Sequence, residues 1–414
     1  MLIGASIGDR AGSAVAFLDG AVAVGAPYLD ALATDAGGVY FATWPLEGEV
    51  DLGALGALRA GIAANDQAGS ALATGDVDGD GHADLLVGAP QSNAGATQGG
   101  AAYLVLGPLT GSGSLALADA TLLGATYDQA GTSLASGDLD GDGFADLVVG
   151  APYGDYAAVF YGPVTGSADL SAADARLLGS SDYAGWSVAS VGDADGDGLD
   201  DLLVGAFWHS AASGWPGGAF LVTGPPSFDL WLDTSATAVL EGVAGGDYAG
   251  WSVAGPGDVD GDGHADLLVG ALADDTAGIE AGAAYLVSGA VTGVVSLAAA
   301  TATFTGESAG AQLGYSVAAA GDVDGDGTPD LLAGAPLEDC SGGCSGAVYL
   351  WLGPVTGTLD ASMSDGTWLS AWSDTGRALA SGDVDGDGLS DLLLGGPFAG
   401  DAGVAALVLG TSVY

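Results

Sequence analysis

Residues 75–90 read GDVDGDGHADLLVGAP. Four aspartates, Asp76, Asp78, Asp80 and Asp84, fall within nine residues and lead straight into an apolar run at 85–87. Like charges this close repel, so the stretch calls for something positive among them. Recurrence excludes chance, since nearly the same stretch returns from Asp138, Asp193, Asp258, Asp322 and Asp383.

Working outward, the flanking segments repeat as well. AGSAVA, AGSALA, AGTSLA, AGWSVA, AGWSVA, LGYSVA and TGRALA align on Gly12, Gly69, Gly131, Gly185, Gly250, Gly314 and Gly376, which gives seven units 54 to 65 residues apart. The units start near residues 5, 62, 124, 178, 243, 307 and 369, and together they make one domain over 1–414. Each runs through an alternating stretch, the acidic loop, a DLLVGAP-like run, a variable stretch, an apolar run, a Ser/Ala/Asp-rich turn and a short run such as ATLLG. That order predicts four short strands per unit. Gly and Pro interrupt the chain too often for helices, with residues 54–64 the one helix-compatible stretch. The predicted fold is all-β: a seven-bladed β-propeller of four-stranded antiparallel blades, with a solenoid as the alternative. The seventh unit has three strands, ending in AALVLGTSVY, whereas MLIG at residues 1–4 matches the fourth-strand runs TLLG and RLLG. Leu2 and Ile3 are therefore predicted to complete the last blade and remove an open edge.

The pattern D-x-D-G-D-G-x-x-D suits a hard cation. Carboxylates at positions 1, 3 and 5 converge if the backbone turns tightly, which glycines at 4 and 6 allow; a position 7 carbonyl and the position 9 carboxylate complete an oxygen cage. The expected ligands are Asp76, Asp78, Asp80 and Asp84; Asp138, Asp140, Asp142 and Asp146; Asp193, Asp195, Asp197 and Asp201; Asp258, Asp260, Asp262 and Asp266; Asp322, Asp324, Asp326 and Asp330; and Asp383, Asp385, Asp387 and Asp391. Calcium accepts so many oxygens, whereas magnesium prefers a smaller shell and zinc prefers nitrogen and sulfur. Calcium at about six sites, holding the fold together, is the expectation. An EF-hand is excluded because its twelfth position falls on Val87, inside an apolar strand. His82 and His264 occupy position 7, where the backbone carbonyl is the ligand, so their rings are expected in solvent. The first unit replaces the loop with Leu18-Asp19-Gly20, a tight hairpin turn.

Charge narrows the partners. Fifty-three acidic residues against Arg10, Arg59, Arg176 and Arg377 give a net charge of -49, which leaves nothing to neutralise phosphate, so nucleic acid and anionic membrane surfaces are excluded. The chain is 49% hydrophobic and only 14% charged, enough to bury a core. No apolar run approaches the ~20 residues of a membrane span, so no membrane insertion is expected. MLIGASIGDRAG lacks the basic and apolar regions of a secretory signal. Cys340 and Cys344 in DCSGGCSG are read as a small disulfide loop, with a zinc half-site as the rival; the disulfide points to an oxidising compartment.

The glycine-serine segment, the D-x-D-G-D-G loop and G-A-P within ~60-residue units resemble the FG-GAP repeats of the integrin α-subunit propeller and its bacterial relatives. Residues 25–27, 88–90, 150–152 and 334–336 match G-A-P in full, while Phe207, Leu272 and Gly396 depart from it. The resemblance implies a seven-bladed propeller with calcium between the first and second strands, in an extracellular or cell-surface protein. No von Willebrand-type insert interrupts the units. The implied function is non-enzymatic calcium-dependent recognition or adhesion, by a monomer or by part of a larger surface protein.

Strand alternation puts the acidic loops on one face and the second-to-third and fourth-to-first connections on the other. That other face carries Tyr153 and the run FWHSAASGWPGG with Phe207, Trp208 and Trp215, the residues expected to bind a protein or glycan ligand. Tyr183, Tyr248, Trp186 and Trp251 recur in near-identical segments and read as packing. Ser133, Ser187, Ser252 and Ser316 alternate with Ala14, Ala71 and Ala378 in other units, as a packing position would and a nucleophile would not. His209 has no triad visible in the sequence. Two alternatives stay open: a structural scaffold within a larger surface protein, and a calcium-dependent glycan-cleaving enzyme.

Overall fold

Seven sheets stand in a ring, each built outward from the strand nearest the centre. The computed structural model describes residues 1–211, 214–338, 346–369 and 374–410, so the Cys340 and Cys344 pairing lies outside the described residues. Blade four shows the pattern: Ser187–Gly192, Asp201–Ala206, Gly218–Val222 and Ala238–Glu241, each antiparallel to the last. Side chains alternate across each strand, so every blade offers an apolar layer to both neighbours. Leu202, Val204 and Ala206 pack towards blade three, while Leu203 packs towards blade five. The core is accordingly seven seams between blades rather than one centre.

The ring closes as predicted. Leu2 and Ile3 pair antiparallel with Ala405 and Val404 and form the fourth strand of blade seven, with Leu2 fully buried. Arg10 lies across this seam, over the rings of Tyr28 and Phe398 at 4.1 and 4.5 Å, and beside it Arg377 joins blades six and seven, over Tyr315 and Phe398 at 4.7 and 5.1 Å.

Each seam is set by glycine. The glycine at or one residue before the end of the second strand (Gly25, Gly88, Gly150, Gly205, Gly270, Gly334 or Gly395) lies against the carbonyl oxygen of the glycine opening the next blade, and Gly395 meets Gly12 across the closure. A β-carbon at any of the seven would overlap that oxygen. Ser133, Ser187, Ser252 and Ser316 donate their hydroxyls to the same carbonyls at 2.7–2.9 Å, which accounts for the Ser/Ala alternation as an optional tie between blades.

A fifth strand was not expected. The Ser/Ala/Asp-rich connections begin with short strands that pair in parallel with the outer strand of the preceding blade, for example Gly166–Asp169 against Ala120–Leu123 and Gly293–Ser296 against Ala238–Glu241. Six of the seven outer edges are covered in this way among the described residues. Each covering strand leads into a single helical turn whose first residue is buried, such as Leu52, Leu115 or Leu232. The helix-compatible stretch at 54–64 resolves into the end of such a turn, Leu52–Ala54, and the strand Leu58–Ala60.

Removing residues 1–5 should lower the melting temperature by several degrees, and an unchanged melt would reject the closure. Gly205→Ala forces a β-carbon into the seam and is expected to destabilise by about 1–3 kcal/mol in denaturant titration, as overpacking does.

Candidate functional site

In the acidic loops the backbone turns tightly around the first carboxylate. In the first, Asp76 Oδ1 accepts the N–H groups of Gly79 and Asp80 at 2.8 and 3.1 Å and Oδ2 that of Gly81 at 2.9 Å. Asp78 accepts from Asp80, and Asp80 from His82. The same bonds recur around Asp193, Asp258, Asp322 and Asp383. Ligand atoms of Asp76, Asp78 and Asp84 lie within 4.8 Å of one another, as do those of Asp138, Asp140 and Asp146, of Asp193, Asp195 and Asp197, and of Asp258, Asp260 and Asp262. In the third blade Asp138 Oδ1 is buried with no hydrogen-bond donor. A buried carboxylate oxygen left without a donor suits a cation, and an all-oxygen set suits a hard divalent one.

Position 9 does more than the sequence indicated. Asp84, Asp146, Asp201, Asp266, Asp330 and Asp391 are buried to 1% exposure or less. One oxygen of each accepts the N–H at position 2 of its own loop, at 2.8–2.9 Å. The other accepts from a glycine after the third strand, such as Gly107 at 2.6 Å or Gly224 at 3.0 Å. The carboxylate thus latches two loops of one blade together, and its remaining lone pairs stay available to a metal. Burial pushes Asp146, Asp201, Asp266 and Asp330 up to about 6, against the pull of the two N–H donors.

Position 7 corrects an expectation. His264 lies against Gly196 of the neighbouring loop, its Nδ1 buried, as Phe144 lies against Gly79, Leu199 against Gly141 and Leu389 against Gly325. His82 reaches back to the hairpin turn of blade one, with Nδ1 3.1 Å from Asp19 Oδ2. In five of the six loops the side chain at position 7 therefore leans on the preceding blade, and in four of these the position 4 glycine there makes room for it.

The opposite ends of the same second strands lead to the aromatic face. Tyr153, Trp208 and Trp215 are 53%, 38% and 57% exposed. Trp208 stacks between Trp215 at 6.2 Å and Tyr248 at 5.8 Å. Phe207 is half-buried at a hub of rings, touching Tyr183, Trp186, Trp208, Tyr248 and Trp251. The chain of contacts runs from Tyr153 through Tyr183, Phe207 and Trp251 to Tyr315. Phe207 thus supports Trp208, and the half-buried Tyr183, Tyr248, Trp186 and Trp251 belong to the same layer.

Sequence reading missed a second aspartate series on this face. Asp9, Asp66, Asp128, Asp182 and Asp247 stand three residues before the opening glycine and are buried. Four cap their own turns by accepting an N–H three residues back, Asp128 from Ala125 at 3.0 Å for example. Asp182 instead faces His209, Oδ2 to Nδ1 at 3.1 Å. The structure also brings Asp233 Oδ1 to 3.7 Å from that nitrogen, so His209 has carboxylate partners that its sequence neighbours did not reveal. Burial would lower the His209 imidazole, but the Asp182 hydrogen bond and the charges of Asp182, Asp233 and Glu241 outweigh it and raise its pKa.

Fold and loops define a class: a seven-bladed propeller with a cation-ready acidic loop in six of its blades. The FG-GAP repeat family matches at residues 68–105, 130–168, 249–287, 313–351 and 375–408. Integrin alpha-7 of Rattus norvegicus is 41% identical over 157 residues, covering 36% of this chain and 13% of that protein. Integrin alpha-5 of Xenopus laevis is 30% identical over 231 residues, covering 50% of this chain and 20% of its own. Integrin alpha pat-2 of Caenorhabditis elegans is 31% identical over 226 residues, with 50% and 18% covered. The chain belongs to the FG-GAP, integrin-α-like β-propeller family, and it spans about a fifth or less of the length of these relatives.

The latch separates two kinds of aspartate. Asp201→Asn sets an amide N–H₂ against one of two backbone donors and should cost about 1–3 kcal/mol in chelator as well as in metal. Asp197→Asn, at an exposed position, should leave the chelated melt unchanged. The raised carboxylates also fix the sign of a pH effect. Folded aspartates that bind protons near pH 6 bind them more tightly than unfolded ones near ~3.9, so stability falls as pH rises between those values. In chelator the melting temperature should therefore rise from pH 7 to pH 5; a fall would contradict the burial assigned to position 9.

Proposed function

We propose that this chain is a non-enzymatic, calcium-binding propeller for extracellular recognition or adhesion, taking a protein or glycan ligand on the face away from the acidic loops. One observation carries the reading: exposed Trp208, Trp215 and Tyr153 stand on a continuous layer of rings, at the strand ends opposite the acidic loops. Rigid aromatic surface loses little conformational entropy on binding and suits both sugar rings and protein side chains. The family relationship supports adhesion, since the relatives it matches are integrin α subunits. Calcium holds each loop through positions 1, 3, 5 and 9 and fixes the strand that presents the opposite face. A non-enzymatic reading fits the recurring serines, whose hydroxyls are committed to carbonyls of adjacent blades.

The test is binding of labelled protein to an array of glycans and matrix proteins, in millimolar calcium and in chelator. Calcium-dependent binding to one chemical class, lost in Trp208→Ala, is expected. A blank array from folded protein would overturn recognition in favour of a scaffold, and release of product from a polysaccharide would overturn the non-enzymatic reading.

A further inference from the structure

We propose that Asp182, His209 and Asp233 form a site for one first-row transition-metal dication, separate from the acidic loops and on the opposite face. The repeat itself is the control. His209 stands four residues after Gly205, where the other units have Leu29, Ser92, Gly154, Asp274, Glu338 and Ala399. Asp233 is the second residue of its helical turn, where the others have Gly53, Ala116, Ser171, Ala298 and Ser362. Glu241 ends the fourth strand where Ala60, Leu123, Leu178, Thr305 and Leu369 end theirs. Phe220 replaces the buried tyrosine found at Tyr40, Tyr103, Tyr285 and Tyr349, so blade four lacks that hydroxyl, and the His209 ring packs edge-on against Phe220 at 5.0 Å. Four departures from the repeat thus meet in one blade, three of them around a single cavity of about 330 Å³ with Trp208 and Trp215 at its side.

The geometry fits a metal. Asp182 Oδ2 and Asp233 Oδ1 lie 3.1 and 3.7 Å from His209 Nδ1, and one ligand atom of each residue lies within 4.8 Å of the others. A tetrahedral ion with bonds of about 2.0–2.1 Å holds its ligand atoms about 3.3–3.4 Å apart. The charge fits as well. Three carboxylates, Asp182, Asp233 and Glu241, surround one imidazole, and no arginine or lysine lines the cavity. Even with His209 protonated the cluster keeps a net negative charge that a dication would neutralise. Imidazole nitrogen with carboxylate oxygen selects a borderline ion of the zinc class, whereas the all-oxygen loops select a hard one. Three protein ligands leave a position open to the cavity, where a donor atom of a bound molecule would complete the shell. Asp182 and His209 are held by burial, and Asp233 by the helical turn seated on buried Leu232.

The test is calorimetric titration of the full chain with zinc in millimolar calcium, which occupies the acidic loops, with thiols alkylated. One zinc per chain is expected, with affinity weakened more than about tenfold by His209→Ala and by Asp233→Asn, and unchanged by His82→Ala and His264→Ala. Asp233 is at the surface, so Asp233→Asn keeps the test valid if His209→Ala fails to fold. Copper(II) in place of zinc should show coupling to one imidazole nitrogen that His209→Ala removes. No zinc uptake in calcium would overturn the site, leaving His209 as a hydrogen-bond partner of Asp182. Uptake indifferent to His209 and Asp233 would overturn it equally. None of these readouts depends on whether the aromatic face binds a macromolecule.

Discussion

Where two blades meet, the approach of a glycine near the end of the second strand to a carbonyl of the next blade sets the spacing of the ring. No side chain fits there, and the contact recurs at every seam, including the one between the two ends of the sequence. The receiving glycines, Gly12 through Gly376, all have positive φ, which turns their carbonyls towards the preceding blade. Two glycines per unit therefore fix both distance and angle between sheets, and the alternating apolar layers fill the seam that results. The serines that donate to these carbonyls reinforce a geometry already set by backbone.

That spacing divides the molecule into two chemical faces. At one end of each second strand a buried aspartate draws two loops together and begins a carboxylate cluster. At the other end the chain emerges into rings, with two of the four arginines stacked between them at or beside the closure. Six acidic loops gather exposed negative charge on the first face of a chain of net charge -49, while the second face sets its rings beside carboxylates of its own, Asp233 and Glu241 among them. A partner approaching that second face is spared much of the repulsion it would meet from the loops, since screening fades the distant charges over about 10 Å.

Much of this was legible because it repeats. Seven copies of a glycine segment and six of an acidic loop specify blade number, strand order and where the acidic loops lie, and MLIG could be matched to TLLG because the other units supplied the template. What escaped was whatever one copy does to another. The covering strands are two to four residues long and leave no pattern of their own; they exist because an outer edge next door lacks a partner. The lean of Phe144 and His264 on neighbouring glycines is likewise a relation between units. Asp182, His209 and Asp233 come from three different connections, so their meeting depends on how blade four folds back on itself. The single-copy features, Trp208 and Trp215, were visible as exceptions, and the recurring rings read as packing do pack, joined through Phe207 into one layer that only the structure shows.

The covering strands and the closing strand give the ring a temporal order. Among the described residues six of the seven outer edges are covered by the connection of the blade that follows, so those units are not finished by their own residues alone. Leu2 and Ile3 are made long before their antiparallel partners Ala405 and Val404, with the covering strand Val50–Asp51 as an earlier, parallel neighbour. The ring can therefore be completed only after the third strand of blade seven has been made.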